Sequence, residues 1–292
     1  MRTGAGEGTP IVTTRLSRLS AVTALTLCGF GATACGGATS SPGGGAAAPA
    51  ASDAGALTVT SAQQPSAARS PKTKPLTGKV IVIDPGHNGG NYKHPEIINR
   101  QVDILTEKKA CDTTGTATNA GYSEAAFTWD VSNRLAKLLR AQGATVKLTR
   151  PSNTGVGPCI TQRAAIGNKA KADAAISIHG DGAGASAHGF HIIMPKKIHG
   201  PVDPVVAASS QLGIAIRNAY HAGTGLAYST YIGKNALNYR SDLGGLNLST
   251  VPKIFIECGN MRNRGDAAKM MDPQFRQKMA ASLAKGFVNY LN

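Results

Sequence analysis

The sequence predicts a single α/β domain built on an open, mostly parallel twisted sheet flanked by helices, and three observations carry that expectation. Apolar, β-branched runs of strand length recur at residues 79–83, 144–148, 174–178, 189–194 and 254–257, the composition of strands covered on both faces. Segments with helical spacing of apolar residues alternate with those runs, as in α/β sheets. Polar side chains capable of chemistry stand where strands hand over to loops, the edge at which open α/β sheets hold their ligands.

Each element has its own local cause. Ser123 precedes a helix whose apolar positions Ala126, Phe127, Val131, Leu135, Leu138 and Leu139 share one face until Gln142 and Gly143 stop it. Further helices are expected over residues 161–171, 205–222, 264–271 and 273–291, with residues 244–252 as loop. No internal repeat is visible, and a second folded domain has no room.

The N-terminal part is set aside from the fold. Arg15 and Arg18 precede an uncharged run over residues 19–34, which reads as a secretory signal spanning 1–34. That run is shorter and richer in Gly and Thr than the ~20 mainly apolar residues a membrane span needs. Ala32, Thr33 and Ala34 form an ordinary A-x-A cleavage site, yet Cys35 follows at once, trailed by Gly36 and Gly37. This arrangement is similar to a bacterial lipoprotein signal, so the mature chain either is freely secreted or begins at a lipid-bearing Cys35 and sits on a membrane surface. Residues 36–75 are Ala, Gly, Ser, Pro, Thr and Gln with few large apolar residues, too little to offset ordering entropy, and read as a tether. The catalytic domain is expected over 76–292.

The formal charge is +15; taking away Arg2, Arg15, Arg18 and Glu7 of the signal leaves about +13 for the exported part. Only 5% of the residues are aromatic and the basic residues are scattered, which argues against nucleic acid as a partner and fits either an acidic envelope polymer or a solvated basic surface. Of five cysteines, Cys28 leaves with the signal. Cys111 and Cys159 lie in polar loop sequence where exported thiols oxidise, and they are expected to pair. Cys258 ends an apolar run and is expected to stay a buried free thiol.

Four segments each deliver one side chain suited to a metal site: His87 after Pro85 and Gly86, Glu124 in the first turn of a helix, His179 closing a strand, and Glu257 closing another. Each has a bland reading alone. A histidine after a strand is usually a satisfied loop residue, and Glu124 suits a helix N-terminus. Together they read as two histidines and one carboxylate around a metal with a second carboxylate beside it. Three protein ligands leave a position for water, the pattern of a catalytic rather than a structural zinc site. Glu257, directly after Ile254, Phe255 and Ile256, sits where burial raises a carboxyl pKa toward that of a working base.

The same segments resemble the zinc-dependent N-acetylmuramoyl-L-alanine amidases of the amidase 3 family. The resemblance covers nearly all of residues 79–291. It rests on Ile83-Asp-Pro-Gly-His87, Glu124, Arg150 after a strand, Arg163 before Asn168, Ser177-Ile-His179, and Pro252-Lys-Ile-Phe-Ile-Glu-Cys-Gly259 followed by Asn263 and Asp266. The Cys111 and Cys159 pair and the segment Arg240-Ser-Asp-Leu-Gly-Gly-Leu-Asn247 are most similar to the actinobacterial branch.

What the resemblance implies is a Zn2+ ion held by His87, Glu124 and His179, with Glu257 as the catalytic carboxylate. The implied reaction is hydrolysis of the amide between the lactyl group of N-acetylmuramic acid and L-alanine of the peptidoglycan stem peptide. Its partners would be peptidoglycan and muropeptide fragments, in the cell envelope, for a monomer. The family more often has Asn where Asp181 stands, which leaves the role of Asp181 open, and His188 and Arg240 are candidates for oxyanion stabilisation. His94, His188, His191, His199 and His221 match no ligand position. Two rivals stay open: another zinc-dependent envelope hydrolase, an endopeptidase or deacetylase, and a non-catalytic envelope-binding lipoprotein, for which Glu257 has no use.

Overall fold

The computed structural model describes residues 73–292; the expected signal, the Cys35 junction and nearly all of the tether lie outside the described residues. Elements follow in the order β1 (Val80–Pro85), α1 (Pro95–Ile98), β2 (Gln101–Asp103), β3 (Lys108–Ala110), α2 (Glu124–Ala141), β4 (Thr145–Leu148), α3 (Ile160–Lys169), β5 (Ala174–Asp181) and β6 (His191–Pro195). They continue with α4 (Val206–Thr224), β7 (Leu237–Arg240), α5 (Gly244–Asn247), β8 (Lys253–Asn260), α6 (Arg264–Met271) and α7 (Pro273–Leu291). The main sheet has the order β4-β1-β5-β8-β6-β7. Every pairing in it is parallel except β6 against β8, so the expected mostly parallel sheet is present.

Strand periodicity divides the chemistry from the core, because alternate side chains leave opposite faces of the sheet. Ile81, Ile83, Ile176, Ile178, Ile254, Ile256 and Cys258 join one hydrophobic cluster with α2, α4 and α7. Val82 and Ala175 join a smaller cluster with Ile166 of α3. That second face also carries Asp84, Ser177, His179, Lys253, Phe255 and Glu257, each two residues from the last along its strand. The thick apolar layer is therefore on one side and nearly every ionisable strand residue is on the other.

Burying those charges requires pairing. Asp84 accepts hydrogen bonds from Thr149 Oγ1 at 2.6 Å, Ser177 Oγ at 2.7 Å and Arg163 Nη1 at 2.9 Å, and Lys253 Nζ lies 3.5 Å away. All five residues are buried. Burial alone would push the Asp84 pKa up, but the Lys253 and Arg163 charges and the two hydroxyls outweigh it and hold the carboxyl far below its usual range.

Several expectations need correction. Residues 244–252 were expected as loop, yet Gly244–Asn247 forms a one-turn helix. It is held by buried Asn247, whose Nδ2 donates to Ile104 O at 3.0 Å and Ser241 O at 2.8 Å. The strands β5 and β8 run past His179 and Glu257, because Asp181 pairs with Asn260 across an irregularity in the register. The hairpin β2–β3 and the edge strand β7 are short and polar and carry no apolar run. Cys111 and Cys159 are bridged as expected, and Cys258 is a buried free thiol.

Replacing Asp84 by Asn leaves Lys253 without a counter-charge inside the protein. We expect Asp84→Asn to lose about 3 to 5 kcal/mol, the usual cost of breaking a buried pair from one side, read from urea unfolding at pH 7. The depressed pKa fixes the sign of the pH effect: the stabilisation is complete above the unfolded pKa and is lost as pH falls toward the folded one. The gap between wild type and variant should therefore narrow below about pH 4; a constant gap would show that the charge of Asp84 is not what matters.

Candidate metal centre and hydrolytic site

Three segments that are distant in sequence bring their donors together at the C-terminal edge of the sheet. Past β1, the Gly86 N–H donates to Ile178 O at 2.9 Å, and His87 adopts a left-handed backbone with φ of 55°. A Cβ on Gly86 would lie 2.1 Å from the His179 ring, so only glycine lets the loop pass this close. His87 Nδ1 lies 3.1 Å from both Asp112 Oδ1 and Thr113 O. Held on that side, the ring points Nε2 at Glu124 Oε1, 3.3 Å away.

Glu124 is the first residue of α2, whose N-terminus is capped by Ser123 Oγ accepting from Ala126 N–H at 3.3 Å. Its Oε2 accepts from Thr116 N–H at 2.9 Å, and its Oε1 accepts from Gly180 N–H at 3.2 Å. His179 Nδ1 is 2.9 Å from the same Oε1, and its ring stacks on Phe255 with centroids 4.5 Å apart. The two imidazoles meet edge to face at 5.0 Å.

Charge and burial at the cluster suit a cation. Burial would lower the His87 pKa, but the carboxylates of Glu124 and Asp112 outweigh it and raise it to about 10. Glu124 is held well below the ordinary carboxyl range, since His87 and His179 overcome the opposing effect of burial. One donor atom from each of His87, Glu124 and His179 lies within 4.8 Å of the others. Two imidazole nitrogens and one carboxylate oxygen, the first imidazole oriented through its other nitrogen by a carboxylate, fit a zinc-like ion with an open position.

The open side is a cavity of about 440 Å3, lined by these three residues and also by Asp181, Phe255 and Glu257. Glu257 lies in register between His179 of β5 and His191 of β6. Its Oε2 is enclosed and has no hydrogen-bond partner among the described residues. Burial, followed by the charges of Glu124 and Asp181, pushes its pKa well above the ordinary value. His191 Nδ1 is likewise enclosed without a partner, and burial brings that imidazole down to about 4, so it is neutral near pH 7.

All four residues singled out from sequence thus come together. Asp181 accepts from Tyr231 Oη at 2.7 Å and borders the cavity. Arg240 is turned into a pair with Asp242, Nε to Oδ1 2.8 Å, and neither it nor His188 is among the residues lining the cavity. Sequence reasoning missed Asp112, which links His87 to Arg163 Nη2 at 3.0 Å. The one available signal was its position beside Cys111, whose bridge to Cys159 at the start of α3 brings the two segments together.

Comparison with known proteins bears on the fold and the family. A family model described as N-acetylmuramoyl-L-alanine amidase, amidase 3, matches residues 81–289. The chain is 38% identical over 217 residues to the N-acetylmuramoyl-L-alanine amidase Rv3717 of Mycobacterium tuberculosis, a match covering 74% of this chain and 88% of that relative. The crystal structure of the amidase Ami1 from Mycobacterium smegmatis superposes with a TM-score of 0.70 at 38% identity, covering 74% of this chain and 98% of that one. The apo form of Ami1 from Mycobacterium abscessus gives 0.69 at 40% identity, covering 74% and 100%.

Because the donors are placed by close backbone approach, the cluster should be sensitive to one methyl group. We expect Gly86→Ala to displace the His179 ring and to lower zinc content of the purified protein as severely as His179→Ala or Glu124→Ala. Elemental analysis checks this, with about one zinc per chain expected for the unaltered protein; full zinc in the two ligand variants would reject the assigned set.

Proposed function

The chain belongs to the amidase 3 family of N-acetylmuramoyl-L-alanine amidases, and on that premise we propose that it hydrolyses the amide joining the lactyl group of N-acetylmuramic acid to L-alanine of the stem peptide. The observation that carries the reading is Glu257: an enclosed carboxyl with an unpaired oxygen, lining the same cavity as a convergent His, Glu, His donor set. A carboxylate so placed is costly unless it works.

His87, Glu124 and His179 are the residues that would hold zinc, presenting Nε2, Oε1 and Nδ1. When bound, the ion supplies Lewis acidity to a water and to the scissile carbonyl. Glu257 takes a proton from the attacking water at its unpaired oxygen and passes it to the departing alanine nitrogen as the C–N bond breaks. Its raised proton affinity suits both halves of that cycle, because the carboxyl must accept a proton and then hold it until the amine leaves. Phe255 keeps the His179 ring in place by stacking, and Asp112 keeps His87 turned the right way.

We further infer an exported protein acting on the cell envelope, either freely secreted or held at a membrane by lipid on Cys35. The rival zinc hydrolases use similar donor sets, and their products differ. Mass analysis of peptidoglycan after incubation with the purified protein decides: an amidase releases free stem peptides and leaves peptide-free glycan, an endopeptidase leaves the muramoyl amide intact, and a deacetylase releases acetate.

Removing the proton acceptor without changing shape separates chemistry from metal binding. Glu257→Gln is expected to keep its zinc and its affinity for muropeptides while stem-peptide release slows by about 100-fold or more, the usual range for general acid–base catalysis. Release at the wild-type rate would make Glu257 structural and turn attention to Asp181.

A further inference from the structure

Beside the catalytic cavity lies a second depression of about 380 Å3, bordered by Thr116, Asn119, residues 182–185 and Arg262. Thr116 and Gly182 belong to the walls of both, so the two are continuous across one narrow ridge. The ridge is tight: a Cβ on Gly182 would stand 2.7 Å from Thr116 Oγ1.

Its floor is built rather than loose. Asn260 Nδ2 donates to Gly184 O at 2.9 Å and to Ala187 O at 2.7 Å, and Asn263 Nδ2 donates to Ala185 O at 2.8 Å. The loop after β5 is thereby fastened to the turn after β8, and that turn presents Arg262. The Arg262 N–H donates to Asn260 Oδ1 at 2.9 Å, which fixes the backbone from which the side chain extends. Among the described residues the guanidinium has no ion-pair, hydrogen-bond or aromatic partner, in contrast to the buried Arg150 and Arg163. The nearby acid is occupied elsewhere, since Asp181 accepts from Tyr231 and from the Gly182 N–H.

We propose that this depression is a carboxylate-binding subsite in which Arg262 grips an acidic group on the peptide side of the substrate. The inference rests on the amidase reading and deepens it. N-acetylated sugars are neutral, whereas the peptide carries carboxylates, and a planar guanidinium offers a carboxylate two parallel donors. Extended chain advances about 3.3 to 3.6 Å per residue, so a side chain one or two residues past the scissile bond is the group we assign to this subsite.

The test compares two synthetic substrates, N-acetylmuramoyl-L-alanyl-glutamate amide and the same molecule with glutamine in place of glutamate. On the zinc-loaded full chain, Arg262→Gln should raise KM for the glutamate substrate about tenfold with kcat little changed, the size expected for a charge-assisted hydrogen bond, and leave the glutamine substrate unaffected. Arg262→Lys should recover part of the loss. Equal effects on both substrates, or none on either, overturn the subsite. An NMR titration with the product alanyl-glutamate amide reads the same site without turnover: saturable binding weakened by Arg262→Gln supports it, and its absence in the unaltered protein overturns it. Peptide binding intact with no substrate cleaved would sink the amidase reading alone.

Discussion

The structure hangs on Arg163, whose guanidinium joins two buried carboxylates, Asp84 at 2.9 Å and Asp112 at 3.0 Å. Lys253 closes one end of the chain against Asp84, and His87 closes the other against Asp112. Charges thus alternate in sign from the middle of the sheet to the edge that carries the candidate metal site. Arg163 also donates from Nη1 to Pro85 O at 2.8 Å and from Nη2 to His87 O at 3.2 Å, so it holds the backbone of the loop that carries His87 as well as the acid that orients its ring. Burying ions repays its cost only when geometry is good and every donor is used. Here the requirement to satisfy a core arginine is also what places the first candidate ligand.

Most of the sheet and much of the site were legible in sequence because both follow from local rules. Continuous apolar runs marked β1, β5 and β8, and the break from apolar to polar at their ends marked His87, His179 and Glu257. Helix α2 was readable through its cap at Ser123 and its apolar stripe. What stayed hidden is non-local. Asp112 looks like any polar loop residue until the fold brings Arg163 and His87 to it. The turn of helix at Gly244–Asn247 depends on Asn247 reaching carbonyls at Ile104 and Ser241, contacts separated by up to 143 residues in sequence.

Glycine is the second constraint, and it acts by letting polar atoms converge. Gly86 admits the His179 ring. At Gly115, where φ is 74°, a Cβ would sit 2.6 Å from His87 Cδ2 and 2.7 Å from Glu124 Oε2. Two strand-to-loop segments and one helix start can bring three donors within ligand distance only if the backbone between them has no side chains. On the apolar face the close approaches at Gly213 and Gly286 admit the side chains of Met194 and Ile216 instead of polar atoms, within a layer rich in Ile, Leu, Phe, Met and Ala. The asymmetry of the two faces is therefore a division of labour in which one supplies stability and the other carries strained and desolvated polar groups.

That division bears on Glu257 and His191, whose Oε2 and Nδ1 have no partner among the described residues. They sit in register on adjacent strands, beside His179, so the row reads candidate metal donor, proposed proton carrier, neutral imidazole. An imidazole kept neutral by burial adds no charge beside Glu257, and so leaves the raised proton affinity of that carboxyl intact. An Arg or Lys at position 191 would pull the Glu257 pKa down and spoil it as a base. The neutral imidazole of His191 is thus as much a part of the proposed chemistry as the candidate ligand cluster on the other side.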